Sequence, residues 1–369
     1  MTLNIGIIAS LLTRPETGVE VYIKALLNGL SVDRSLRPVG ISPRRVEFFK
    51  SNGIAEKIIQ GRSSLLGRYW WEFFKISDLS RSDIDILHGP NFSVPVVKRR
   101  EIRYVTTIHD LTFKTHPQYY PSTAKAYYNF ATWNSSRICD AIICNSNSTR
   151  RDFLRFYPDF PRENLHVIPL GYTDFSQIDS DDTIFKGHGL TQKEFALIVG
   201  ASHPRKNLER SIEAFLEAGI SADTRLVLTG TPSERIFNSY RSNPRVIFTG
   251  QVTRNQLASF YKNAQCLIFA SHAEGFGLPA LEALSVHLPV IASKVGSLPE
   301  VTGLPHEMLV DPLVISDIRT KIEYMFESKT FYDDALNIGR ENLKSFSWSQ
   351  CIGDTSRLYH QLIPSGSVQ

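Results

Sequence analysis

Short apolar runs that end in Gly, Ser, Asn or His alternate along the whole chain with longer stretches whose apolar residues recur three and four positions apart. The short runs read as buried strands and the periodic stretches as amphipathic helices. Strand and helix in regular alternation predict parallel βα units, and therefore an α/β fold. In the first half the pattern places strands at 4–10, 37–42, 84–89, 104–109, 141–145 and 166–170. In the second half it places them at 195–200, 225–230, 245–250, 266–271, 289–293 and 308–310, six in each half. Between the halves, 171–189 is polar and acidic, with Asp179, Asp181 and Asp182 and no apolar period, and reads as an interdomain linker. The chain is thus expected to form a domain over 1–172 and a second over 173–347. A final helix from about residue 348 carries Ile352, Leu358, Tyr359 and Leu362 at helical spacing and needs a surface to cover.

Length agrees with two domains, because 369 residues exceed what one hydrophobic core usually holds. With 42% hydrophobic and 21% charged residues, and no run of about 20 apolar residues, the chain is not read as an integral membrane protein. The first residues enter an apolar strand without a basic lead, so a cytoplasmic location is expected. Cys139, Cys144, Cys266 and Cys351 lack metal-ligand spacing and read as reduced core thiols. Charge is uneven. Residues 1–175 hold 23 Lys and Arg against 16 Asp and Glu, a surplus of +7, whereas the remainder holds 18 against 21. The first half is suited to an anionic membrane surface or a phosphate-bearing acceptor, or its charge is simply solvated; nucleic acid is not expected as a partner.

In open parallel sheets, ligands bind beyond the carboxyl ends of the strands. Directly after the 266–271 strand stands Glu274-Gly-Phe-Gly-Leu-Pro-Ala-Leu-Glu282, two carboxylates separated by seven residues. Gly275 and Gly277 allow close approach and positive φ, and Pro279 suits a first helical turn. The helix that starts there offers free N–H groups and a positive dipole end to a diphosphate or sugar. Carboxylates accept hydrogen bonds in pairs from the vicinal hydroxyls of a sugar or ribose.

This segment resembles the E-x7-E motif of retaining glycosyltransferases of family 4, which have the GT-B fold. Val199-Gly-Ala-Ser-His-Pro-Arg-Lys-Asn207 resembles the family's diphosphate loop, and Val246-Ile-Phe-Thr-Gly-Gln-Val252 its strand and loop beside the base. His88-Gly-Pro-Asn91, His109-Asp-Leu111, Cys144-Asn-Ser-Asn-Ser148, Val167-Ile-Pro-Leu-Gly171 and the Phe346-Ser-Trp348 turn resemble successive landmarks, so the resemblance spans nearly the whole chain. It implies two Rossmann-like domains facing each other across a cleft, with the C-terminal helix crossing back to an acceptor-binding N-terminal domain. By the same resemblance Arg205, Lys206 and the Gly18 loop hold the donor diphosphate. Glu274 with Gly275, Phe276, Gly277 and Leu278 holds the donor sugar, Glu282 the ribose, and Gly250, Gln251 and Val252 the base. His109 is the active-site histidine beside the transferred sugar, although a His-Asp pair can also simply close a turn. Thr17 replaces the first of two glycines usual in the family, and His287 stands where a glycine is common before the residue preceding Pro289.

Two fixed cations and a helix end stabilise a leaving nucleoside diphosphate without a divalent metal, so no metal or cofactor is expected. The acid pairs Asp83/Asp85 and Asp181/Asp182 stand at the wrong end of a strand and in the linker. Similarity to mannosyltransferase-like members implies GDP-mannose as donor, with a UDP- or dTDP-sugar as the alternative, and a glycan acceptor of surface polysaccharide or O-antigen assembly. The segment 65–75, with Trp70, Trp71, Phe73 and Phe74 among Arg68 and Lys75, reads either as an interfacial membrane helix or as domain core. Taken with the basic first half, it suggests a lipid-linked acceptor and peripheral contact with the inner membrane face. A dinucleotide-dependent reductase is disfavoured because no Gly-x-Gly-x-x-Gly turn follows the first strand. An epimerase or pyridoxal-phosphate phosphorylase of the same fold, and a nucleotide-sugar-binding scaffold without turnover, remain as alternatives.

Overall fold

The computed structural model describes residues 2–13, 18–62, 64–79 and 84–363. The chain divides into two compact units, Met1–Gly171 with Phe346–Gln369, and Tyr172–Ser345.

The first unit is built on a seven-stranded parallel sheet: β1 (Leu3–Ile8), β2 (Leu36–Ser42), β3 (Ala55–Ile58), β4 (Ile86–Gly89), β5 (Arg103–Ile108), β6 (Ala141–Cys144) and β7 (Leu165–Val167). Their order is β3-β2-β1-β4-β5-β6-β7. Helices between successive strands cover both faces, which is why β4 and β6 are buried throughout and read as plain apolar runs. The strand missing from the sequence reading is β3. Ala55-Glu-Lys-Ile58 pairs only with β2, on the sheet edge, and none of its residues is fully buried, so no apolar run marks it. The helix Trp348–Leu362 belongs to this unit and lies against the helix Gly18–Leu30, where a Cβ on Gly29 would overlap Ile352.

The second unit holds a five-stranded parallel sheet: β8 (Phe195–Ile198), β9 (Arg225–Thr229), β10 (Val246–Gly250), β11 (Cys266–Phe269) and β12 (Val290–Ala292). Their order is β10-β9-β8-β11-β12. The strand expected at 308–310 does not form. Between Pro305 and Pro312 the run is too short to pair, and it leaves a 3-10 turn at His306–Met308 and a single bridge from Val310 to Ser293.

The stretch 171–189 is not a free linker either. From Tyr172 it belongs to the second unit. Phe175 is buried, its N–H reaches Ser285 Oγ at 3.0 Å, and its ring meets Tyr261 edge-on at 5.0 Å. Asp182 accepts from Ser259 Oγ at 2.5 Å and Asp181 from Thr183 N at 3.1 Å. Two of the acidic residues that suggested a solvated connector, Asp182 through Ser259 and Asp181 through Gln256 Nε2 at 3.3 Å, instead hold it to a helix of that unit, Arg254–Asn263, while Asp179 is exposed.

In both sheets the strand order reverses beside the first strand of the unit, between β1 and β4 and between β8 and β11. Such a switch point opens a crevice at the carboxyl ends of the two diverging strands.

Candidate active site

The loops that follow β8 and β11 flank the switch point of the second unit and carry six of the residues singled out by sequence, Arg205, Lys206, Glu274, Gly275, Phe276 and Gly277. After β8, the chain passes through Gly200 at φ +77° into the turn Pro204–Lys206. His203 Nδ1 accepts from Arg205 N at 3.2 Å and starts that turn. Asn207, at φ +57°, ends it, and its amide donates to Ala270 O at 3.0 Å and Pro312 O at 2.7 Å. The Arg205-Lys206 loop is thereby fixed to the loop after β11.

Glu274 joins the two loops chemically. Its Oε2 accepts from Arg205 Nη1 at 2.5 Å, and its Oε1 accepts from Lys206 Nζ at 2.8 Å and Ser271 Oγ at 3.1 Å. Arg205 also reaches Ala273 O at 3.0 Å, and Lys206 Nζ lies 4.2 Å from the centre of the Phe269 ring. The carboxylate side chain is only 5% exposed, Lys206 10% and Arg205 21%. Burial alone would raise the Glu274 carboxyl, but Lys206 and Arg205 overturn that and hold it down at about 2. Burial lowers the Lys206 ammonium, and the Glu274 charge partly restores it. The cluster is two cations against one anion, and its residual charge is positive.

The backbone after Glu274 is clasped from the loop beyond β12. Ser297 N donates to Glu274 O at 3.2 Å, and Ser297 Oγ donates to Phe276 O at 2.6 Å. Gly296, at φ +61°, brings its Cα so close that a Cβ would overlap Glu274 O. Sequence reading missed both residues. Of the two glycines expected to supply positive φ, Gly277 does so at +108°, whereas Gly275 does not take that conformation. Gly277 starts the helix Leu278–Ser285 with no side-chain cap, and Pro279 lies in its first turn. One turn inside, Glu282 Oε2 accepts from Tyr261 OH at 3.0 Å. Burial pushes the Glu282 carboxyl up to about 7 despite that hydrogen bond. At the end of β10, Gly250 takes φ +69° with open space where a Cβ would stand, Gln251 is exposed and Val252 half-buried.

In the first unit His109 follows β5. Its Nε2 lies 2.8 Å from Pro90 O, and its ring meets Tyr22 edge-on at 5.3 Å. Burial lowers its pKa, opposed by the Pro90 carbonyl and Asp110. Asp110 does close a turn, accepting from Thr112 N at 3.0 Å and Thr112 Oγ1 at 2.7 Å. Gly18 opens its helix at the surface, and residues 14–17 of its loop lie outside the described residues. Behind His109, the buried His88 shares hydrogen bonds with Tyr359 OH at 2.6 Å and Thr107 Oγ1 at 2.8 Å, and Thr107 with Tyr22 OH at 2.9 Å. Burial drives His88 down to about 3, so it is neutral.

Among the described residues no three His, Cys, Asp or Glu side chains cluster as a metal site. Asp83 lies outside those residues, and Asp85 accepts from Asn4 N at 2.8 Å. No helix among them is long and apolar enough to cross a membrane. The four cysteines are free and buried.

Two parallel α/β units, with a cation pair, a dipole end and two carboxylates at the switch point of the second, agree with a glycosyltransferase of the GT-B fold. The model of Glycosyltransferase Family 4 matches residues 17–173, and that of Glycosyl transferases group 1 matches residues 180–342. The chain belongs to this glycosyltransferase family and is an enzyme of that class. It is 29% identical over 289 residues to O-antigen chain mannosyltransferase B of Escherichia coli, covering 75% of this chain and 74% of that protein. It is 31% identical over 224 residues to the serotype-specific mannosyltransferase WbdA of E. coli, which covers 57% of this chain but only 27% of that longer protein. Sucrose-phosphate synthase from Thermosynechococcus elongatus superposes with a TM-score of 0.76 at 18% identity, over 98% of this chain and 99% of that one.

Proposed function

We propose that the protein transfers mannose from GDP-mannose, with retention of anomeric configuration, to a glycan acceptor of surface polysaccharide or O-antigen assembly. The observation that carries this reading is the Arg205–Glu274–Lys206 cluster at the carboxyl ends of β8 and β11. A donor diphosphate takes over the two cations and releases the Glu274 carboxylate, which turns to the sugar hydroxyls. The Phe276–Leu278 backbone assists at the helix start, Glu282 receives the ribose, and Gly250, Gln251 and Val252 border the base. As the bond from the anomeric carbon to the diphosphate breaks, Arg205 and Lys206 take up the charge that develops on the leaving group. The acceptor hydroxyl bonds to that carbon and its proton passes to the β-phosphate oxygen. His109 is assigned to the transferred sugar and the Gly18 loop to the diphosphate. Support for mannose comes from the mannosyltransferase relatives. We further propose that the acceptor is lipid-linked and that the protein works at the inner face of the cytoplasmic membrane.

The test is a thermal-shift panel of GDP-, UDP-, dTDP- and ADP-sugars with EDTA present, since a ligand of the native state raises apparent stability. A shift confined to GDP-mannose, lost or weakened at least about tenfold by Lys206→Ala, is expected. A shift with another nucleotide sugar would replace the donor, and an unchanged affinity in the Lys206 variant would move the diphosphate elsewhere. Acceptor-dependent GDP release separates transfer from mere binding, and its persistence in EDTA tests the metal-free assignment.

A further inference from the structure

Two helices of the first unit turn apolar faces outward side by side. On Leu65–Phe73 the outward residues are Leu66 and Trp70, continued by Phe74, at exposures of 78%, 53% and 49%. Their spacing is one helical turn each, whereas Trp71 and Phe73, on the other side, are core at 0% and 4%. On Ser122–Ile138 the outward residues are Phe130 and Trp133, at 38% and 45%. The two helices are neighbours: the buried Phe73 ring of the first meets Phe130 of the second at 4.9 Å, and Phe130 lies 5.8 Å from Trp133. Between them runs the segment ending in exposed Val97, held by Val96 N to Phe73 O at 2.9 Å and Asn134 Nδ2 to Val94 O at 2.9 Å. Of the four tryptophans in the chain, the two exposed ones are both here.

Cations edge this surface and stack on its aromatics. Lys75 Nζ lies 5.9 Å from the Trp70 ring centre and the Arg137 guanidinium 4.8 Å from that of Trp133. Lys98 and Arg100 are exposed just after Val97 in the chain, and Arg103 is exposed and shares Asp140 with Lys98. Among the described side chains the acids beside them are Asp140, which pairs with Lys98 at 2.9 Å and Arg103 at 3.4 Å, and exposed Glu101. Beside Trp70, a groove of about 800 Å³ sets Arg62 with the polar Gln60 and Ser64 against Leu66 and the Trp70 ring.

We infer that this surface docks on an anionic lipid bilayer, with Leu66, Trp70, Phe74, Phe130 and Trp133 entering the interface and Lys75, Arg100 and Arg137 meeting the headgroup phosphates. Aromatic rings ringed by cations suit the boundary between acyl chains and headgroups, where apolar burial and charge attraction add. A second copy of the chain fits less well, because the same cations would then face one another. The inference rests on the membrane-face part of the proposed function and names the residues that serve it.

The experiment is co-sedimentation of the full chain with phosphatidylcholine vesicles, with and without phosphatidylglycerol. Binding to the anionic vesicles alone, weakened by salt, is expected. Trp70→Ser with Trp133→Ser should reduce it at least about tenfold, and Lys75→Gln with Arg137→Gln by about fivefold per cation. Wild-type binding by either double variant would overturn the assignment. So would a dimer of the wild type that the tryptophan variant converts to monomer in velocity sedimentation, because the surface would then be a self-interface. GDP affinity, read in parallel by calorimetry, should be the same in all three proteins. Absence of GDP binding by the wild type would remove the donor reading and leave the vesicle result standing.

Discussion

In the proposed reading, Glu274 occupies the place that the donor diphosphate takes beside Arg205 and Lys206. Its carboxylate bridges the two cations and offsets the burial of Lys206, and we propose that it competes with a diphosphate for them. Two substitutions separate these roles. Glu274→Ala is expected to abolish transfer, because the sugar loses its carboxylate partner. Glu274→Gln keeps the shape but removes the charge, so nucleoside diphosphate should bind more tightly, by about tenfold, while transfer still fails. Calorimetry reads the affinity, and weaker binding in the Gln variant would show that the carboxylate helps rather than competes. The neighbouring carboxyls also differ in their response to pH. Glu282, raised from 4.5 to about 7, favours the folded state fully below its unfolded value and loses that contribution as pH rises through about 7. Glu274, lowered to about 2, contributes above 4.5 and loses its share only as pH falls through about 2. Glu282→Gln should therefore flatten the decline in melting temperature between about pH 5 and pH 8. An unchanged slope in differential scanning calorimetry would place that decline on another group.

At the level of elements, the turn from β11 into the helix Leu278–Ser285 sets the spacing between the two carboxylates. Gly277 makes it at φ +108°, and a Cβ there would stand 2.8 Å from Leu298 Cδ2. Gly277→Ala combines backbone strain with that contact and should cost about 2 kcal/mol, a fall in melting temperature of about 4–8 °C. Transfer should fall further than stability explains, because the helix start shifts; a variant of full stability and full activity would deny the turn its role. Arg205, Lys206, Glu274 and Glu282 are legible in the sequence because each stands in a short motif directly after an apolar run. The supports of those residues are not. Ser297 and Gly296 follow β12, and Tyr261 stands on the helix before β11, so they meet the motif only through strand adjacency that no local pattern encodes. The same limit hid β3, a half-exposed edge strand, and turned the apolar run at 308–310 into an expected strand although two prolines confine it to one bridge. Polar composition misled at 171–189 because Asp181 and Asp182 spend hydrogen bonds on a helix of the second unit.

For the molecule as a whole, the C-terminal segment is what makes the first unit discontinuous in sequence. The helix Trp348–Leu362 supplies Tyr359 to the neutral His88, and through Thr107 that network reaches Tyr22, the ring set edge-on to His109. Contact with the helix Gly18–Leu30 depends on the absence of a side chain at Gly29, where Ile352 fills the space. Gly29→Val should force the two helices apart and cost about 1–3 kcal/mol, seen as a lower unfolding temperature. Adding Ile352→Ala makes room for the valine, so the double variant should recover part of the loss, as two residues in direct contact must if the clash is the cause. Nucleoside diphosphate affinity should fall by less than about twofold in both variants, because of the groups proposed to hold the diphosphate only the Gly18 loop lies in the first unit, while Arg205 and Lys206 lie in the second, with its own sheet and core. If instead affinity fell steeply in step with unfolding temperature and returned with Ile352→Ala, the Gly18 loop at the head of that helix, rather than Arg205 and Lys206, would carry most of the proposed diphosphate binding.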